Sequence, residues 1–205
     1  MARNVSPVNA DPVRGGSADA DIIAPDLRLL IVAINPATRS AAIGHPFSSP
    51  GNPFWRLLHV SGLTPVEVEA SRAHQLLEHG IGLTSTVRRA TRTAGELPVR
   101  ELRAGAVRVE HLVRTHRPET VALLGLTLYP QYFPTRPAPG PGPKPTTIAG
   151  SRVFVLPNPS GRNRSYAGFD AKLAWYQALA RTLGPPGPPH ASNRLQPTSR
   201  SDATE

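Results

Sequence analysis

Residues 27–36 read LRLLIVAINP, and this stretch decides the fold. From Leu27 to Ile34 the run is almost continuously apolar, as a strand must be when both faces of its sheet are covered, the situation in a parallel sheet. It stops at Asn35, which Pro36 holds extended. A second buried strand is predicted at Thr120–Leu124, stopped by Gly125. Thr146–Ile148 and Val153–Leu156 form a strand pair around Ala149-Gly150-Ser151, and Gly80–Thr84 is a short strand candidate. Helical patterns lie between. Pro50–Ser61 carries Phe54, Trp55, Leu57 and Leu58 and ends at Gly62. Val66–His79 predicts a second helix. Pro98–His116 sets Val99, Leu102, Ala106, Val109 and Val113 at helical spacing, with Arg100, Arg103, Arg108 and Arg114 on a solvated face. Lys172–Leu183 closes the chain's ordered part. Strands alternating with helices predict an α/β fold, a three-layer α/β/α sandwich around a mostly parallel central sheet.

The 205 residues suit one such domain, placed at 26–183, with tails at 1–25 and 184–205 whose composition predicts disorder. The Pro/Gly-rich stretch Pro134–Pro145 reads as a tolerated surface insertion. The absence of cysteine excludes disulfides, thiolate metal ligands and a cysteine nucleophile. No secretory signal and no membrane-spanning apolar run are visible, so a soluble cytoplasmic, nucleoid-associated protein is expected. The net charge is +9, and 21 of the 23 basic residues are arginine. Such a balance favours an anionic partner, most simply nucleic acid, although an arginine-rich proteome produces the same count.

In open α/β sheets ligands bind beyond the carboxyl ends of the strands. Two segments here start at such ends. One runs from Ile34-Asn35-Pro36-Ala37-Thr38-Arg39-Ser40 through Gly44-His45-Pro46-Phe47 to Pro50-Gly51-Asn52-Pro53-Phe54-Trp55; the other is Leu156-Pro157-Asn158-Pro159-Ser160-Gly161-Arg162-Asn163-Arg164. Each puts an asparagine directly before a proline. Proline orients that asparagine, whose amide accepts from a water and donates to an oxygen at once. The Ser160-Gly161 turn allows close backbone approach to a phosphate, beside the charges of Arg162 and Arg164. A lone Asn-Pro is an ordinary turn dipeptide; two at two strand ends of one sheet are harder to dismiss.

At these residues the chain resembles the mismatch-specific uracil-DNA glycosylases, relatives of the thymine-DNA glycosylases within the uracil-DNA glycosylase superfamily. The resemblance runs from about Leu27 to Leu183, and the tails fall outside it. It implies a monofunctional glycosylase that flips a uracil-type base from a mismatch with guanine and hydrolyses its glycosidic bond in base excision repair. Asn35 would hold the attacking water and Asn158 would be a second active-site asparagine. Ile34, Ala37 and Phe47 would bind the base, with Phe47 stacking on it; core packing is the competing role for Phe47. Ser40 would serve the flanking phosphate or the water network. Ser160, Gly161, Arg162 and Arg164 would form the insertion loop, with Arg162 as the wedge that fills the hole left in the duplex. The family's Gly-Ile-Asn-Pro-Gly appears here as Ala33-Ile34-Asn35-Pro36-Ala37, and the Ala37 methyl is expected to disfavour thymine relative to uracil. Ser85 stands where relatives often carry a longer polar residue.

The resemblance implies no cofactor, and the histidine pairs 74/79 and 111/116 are spaced too poorly for chelation, so no metal is expected. The partner would be double-stranded DNA with a G·U or related mismatch, not a membrane, with a monomer as the default state. Ranking among uracil, ethenocytosine, hypoxanthine and thymine stays open. The competing functions are a non-catalytic nucleic-acid binder of the same fold and a hydrolase of free nucleosides or nucleotides.

Overall fold

The apolar run at 27–34 folds as the central strand β1 (Leu29–Ala33) in a computed structural model that describes residues 21–134, 140–161 and 163–184. Around it lie β2 (Ile81–Ser85), β3 (Thr120–Leu124), β4 (Gly142–Ile148) and β5 (Ser151–Leu156). The order across the sheet is β2-β1-β3-β5-β4. The first four are mutually parallel, with Leu30 beside Gly82 and Val121, and Ala122 beside Phe154. Only β4 is antiparallel, hydrogen-bonded to β5.

Alternation along β1 explains the two covered faces. Leu29, Ile31 and Ala33 point to one side, where they meet α2 (Phe54–Val60), a 3₁₀ helix (Ala70–His79) and α5 (Asp170–Leu183). Leu30 and Val32 point to the other, against Val109 and Val113 of α3 (Val99–His116) and Tyr129 of the short α4 (Tyr129–Tyr132). Each fully buried aliphatic side chain contributes roughly 1.5–3 kcal/mol of transfer free energy, so both layers are held by the same strand. The three-layer α/β/α architecture follows.

Several expectations need correcting. The strand at 27–34 is shorter than its apolar run. A short helix, α1 (Thr38–Ile43), follows the first Asn-Pro and has no sequence signal beyond a Gly44 stop in the left-handed region. The segment 66–79 is helical only from Ala70, as 3₁₀ helix with a kink at Arg72. Gly142–Pro145, expected in a loop, belong to β4; this is the sheet's edge, where Pro143 and Pro145 need no donor toward a further strand. Residues 135–139 of that expected loop, and residues 1–20 and 185–205 of the expected tails, lie outside the described residues.

The amino-terminal boundary also moves. Ile22 pairs with Leu83 through two backbone hydrogen bonds of 2.8 Å, so the packed domain begins before residue 26. Asp21 anchors this strap, bonding Arg88 at 2.5 Å, Arg108 at 3.1 Å and the Thr84 hydroxyl. Arg108 is therefore not a solvated-face residue: it also donates to the Ser85 carbonyl. Val99, placed on the apolar stripe of α3, is exposed. The helix comes close to the end of β2 because Gly105 has no side chain; a Cβ there would lie 2.1 Å from the Thr86 carbonyl oxygen.

Candidate active site

A cavity of about 1560 Å³ opens at the carboxyl ends of β1, β2, β3 and β5. It exceeds the roughly 300–1,000 Å³ typical of small-molecule pockets. Both Asn-Pro segments reach it, and Ile34, Asn35, Ala37, Ser40, Phe47, Asn158, Ser160 and Gly161 all line it. Arg164 is exposed on the adjoining loop, and Arg162 lies outside the described residues.

Asn35 is fixed by its surroundings. Its Nδ2 donates to Thr91 Oγ1 at 2.7 Å, to the Arg89 carbonyl at 3.0 Å and to the Pro36 carbonyl at 3.2 Å. Two of these partners are carbonyls, which only accept. The Thr91 hydroxyl spends its proton on the Thr93 carbonyl at 2.8 Å, so it too must accept. The network leaves one amide orientation, with nitrogen toward the protein and Oδ1 without a donor among the described residues. Thr91 is buried and held against the motif by backbone bonds: its N–H donates to the Pro36 carbonyl and its carbonyl accepts from Thr38. Nothing in the sequence pointed to Thr91.

Asn158 has the opposite polarity. Its Oδ1 accepts from the Ser160 N–H at 2.9 Å, forming the turn that starts the loop. Its Nδ2 has no acceptor among the described residues. Asn163 ties the same turn down, donating from Nδ2 to the Asn158 carbonyl at 3.1 Å. Gly125, ending β3 between the two motif strands, makes room: a Cβ there would meet Ile34 Cδ1 at 3.3 Å and Asn158 Nδ2 at 3.7 Å. Its φ of +120° also excludes other residues without strain. Gly125, Leu126 and Thr127 line the cavity, and the strand-end rule applied to β3 would have found them.

Phe47 packs on the core with one face and lines the cavity as well. Its ring stacks on Phe54 with centroids 3.8 Å apart and planes 20° from parallel. Phe54 is fully buried, whereas Phe47 is half-buried and lines the cavity. Phe47 has φ of +56°, a conformation that costs a bulky residue on the order of 1–3 kcal/mol. Surrounding bonds sustain it: Trp55 Nε1 donates to the Pro46 carbonyl at 3.1 Å and Ser48 Oγ to the His45 carbonyl at 2.7 Å. Strain of this kind concentrates at functional sites.

A match to the model of the uracil DNA glycosylase superfamily spans residues 20–180, which take in all five strands and every helix except the last three residues of α5. The chain belongs to the uracil-DNA glycosylase superfamily. Membership supports hydrolytic DNA glycosylase chemistry, a part in DNA repair, and DNA as the partner. It also accounts for the early start of the domain, since the match takes in the Asp21–Ile23 strap.

Within this superfamily fold, Ser40 sits on the cavity wall and is only 3% exposed. That burial suits an internal hydrogen-bond network better than a phosphate on the duplex exterior; its Oγ lies 3.4 Å from Ser48 Oγ. Ala37, at the start of α1, has an ordinary extended φ of −73°, so its methyl group is a matter of space rather than backbone strain. Ser85 ends β2 on the cavity wall and its carbonyl is engaged by Arg108. Tyr132, half-buried behind this strand end, donates to or accepts from Thr86 Oγ1 at 3.1 Å, and desolvation raises its phenol well above the usual range.

Proposed function

We propose that this chain is a monofunctional, mismatch-specific glycosylase of the thymine-DNA glycosylase type, which removes uracil from opposite guanine. The observation that carries the reading is the complementary pair of asparagines. Asn35 has its amide nitrogen committed and an acceptor oxygen to spare; Asn158 has its oxygen committed and a donor nitrogen to spare.

Hydrolysis needs both. A water accepted by Asn35 Oδ1 is aimed through its lone pair at the anomeric carbon. The C1′–N1 bond breaks as the new C1′–O bond forms, and the bonding pair leaves with the base. The departing base is then an anion until it takes up a proton, and the proton lost by water passes to solvent. An amide cannot take that proton itself, so Asn35 acts by positioning. Asn158 Nδ2 donates to a carbonyl oxygen on which the negative charge gathers, a preorganised stabilisation worth more in the transition state than in the ground state. Phe47, backed by Phe54, is the platform for the extruded base. The loop from Ser160 to Arg164 meets the duplex and fills the vacated stack.

The test is cleavage of a labelled duplex with one central G·U pair, followed by alkali to break abasic sites, with Asn35→Ala and free deoxyuridine alongside. The expected result is product from the parent on duplex DNA, none from the nucleoside, and a loss of at least about 100-fold in the variant. A folded parent that binds DNA and releases no uracil would refute the reading in favour of a binder. Cleavage of free deoxyuridine would refute it in favour of a nucleoside hydrolase.

A further inference from the structure

The chain between Asn163 and Gly168 is held at both ends. At the first, the Asn163 N–H donates to the Ser160 carbonyl at 3.0 Å and its side chain to the Asn158 carbonyl. At the second, Lys172, a buried lysine, donates from Nζ to the Gly168 carbonyl at 3.0 Å. The neighbouring Phe169 ring lies under the Arg56 guanidinium, 4.6 Å from its centroid. Of the residues so suspended, Arg164, Ser165, Ala167 and Gly168 are exposed and Tyr166 alone is half-buried. Tyr166 lines the same cavity as Asn35 and Phe47, and its hydroxyl has no partner among the described residues.

We propose that Tyr166 is a substrate-binding residue that grips the deoxyribose and adjoining phosphate of the extruded nucleotide. This rests on the glycosylase reading above. A base that reaches Phe47 and Asn158 takes the deep end of the cavity, among buried Ala33, Ser40 and Leu124. Its sugar and phosphates stay joined to the duplex and must sit at the rim, where the loop carries Tyr166. Tyrosine suits that place: its ring covers the apolar face of the sugar and its hydroxyl donates to a phosphate oxygen. Its grip exists only after extrusion, so it discriminates extruded from stacked nucleotides without reading the base.

A duplex carrying a tetrahydrofuran abasic analogue opposite guanine presents the sugar and phosphate without a base. Full-length parent, Tyr166→Phe and Tyr166→Ala are titrated against it and against an intact duplex of the same sequence. The expected result is a loss of about three- to tenfold in affinity for the analogue duplex on removing the hydroxyl, more on removing the ring, and no change for the intact duplex. Unchanged affinity for the analogue in both variants overturns the proposal, as does an equal loss on both duplexes, which marks a general DNA contact. A parent that fails to excise uracil yet shows the tyrosine-dependent preference would sink the catalytic reading and leave this one standing.

Discussion

Replacing Thr91 by valine keeps the shape of a buried residue and removes one hydroxyl. Asn35 Nδ2 then loses its shortest bond, the 2.7 Å contact, and keeps the Arg89 and Pro36 carbonyls at 3.0 and 3.2 Å. Those two acceptors still oppose an amide flip, because a flipped Oδ1 would face two carbonyl oxygens. The orientation is therefore loosened rather than lost. One neutral hydrogen bond is worth about 0.5–1.5 kcal/mol net, which corresponds to roughly a two- to thirteenfold fall in rate. The assay is single-turnover excision from a G·U duplex at saturating enzyme, with Asn35→Ala and the double variant alongside. If Thr91 acts through Asn35, Thr91→Val costs nothing further once Asn35 is alanine. Thr91 also donates to the Thr93 carbonyl, so a melting curve accompanies each variant. Undiminished excision by Thr91→Val, or the same fold-loss in the Asn35→Ala background, would refute the reasoning.

Four further outcomes are expected. Asn158→Asp keeps the acceptor for the Ser160 N–H but sets a negative charge beside the departing anion; it should excise more slowly than Asn158→Ala at pH 8 and recover as pH falls and the carboxyl protonates, and identical rates for the two would exclude the donor role. Phe47→Ala should lower excision by about tenfold or more through loss of stacking, measured as rate at saturating enzyme, whereas a fall in melting temperature with an unaltered rate would mark Phe47 as core packing only. Ala37→Gly should raise the ratio of G·T to G·U excision, and an unaltered ratio would show that the methyl does not set base choice. Gly105→Ala drives a Cβ into the Thr86 carbonyl, an overpacking of about 1–3 kcal/mol, so melting should drop by roughly 2–12 °C; a melting temperature equal to the parent's would show that α3 can back away without cost.

The parallel sheet was legible because buried strands advertise themselves as apolar runs, and β3 appears with the predicted bounds. Helix α3 was equally plain, since Pro98 opens it and its apolar residues recur in step. The failures are of one kind. Helix α1 has six residues and no apolar stripe, so no periodicity could reveal it. Arg108 reads as surface because its partners, Asp21 and the Ser85 carbonyl, are distant in sequence. In the site, the residues that follow β1 and β5 are legible from the sequence, while those after β3 and those brought in by folding are not. Thr91 lies 56 positions from Asn35, in a stretch with no pattern of its own. Gly125 was read as a strand stop; that it sits between Ile34 and Asn158 depends on β3 lying between β1 and β5.

Asn35 and Asn158 both precede proline, and so does Asn52, whose Oδ1 accepts the first N–H of α2. An asparagine ages to aspartate chiefly when the next residue's backbone nitrogen attacks the side-chain amide, and a proline nitrogen bears no hydrogen with which to do so. The dipeptide that aims these side chains therefore also shields them from slow chemical decay. For Asn158 the decay product would be the aspartate expected to repel the leaving base. If Asn35 and Asn158 act as proposed, the chain carries those amides in a form that keeps.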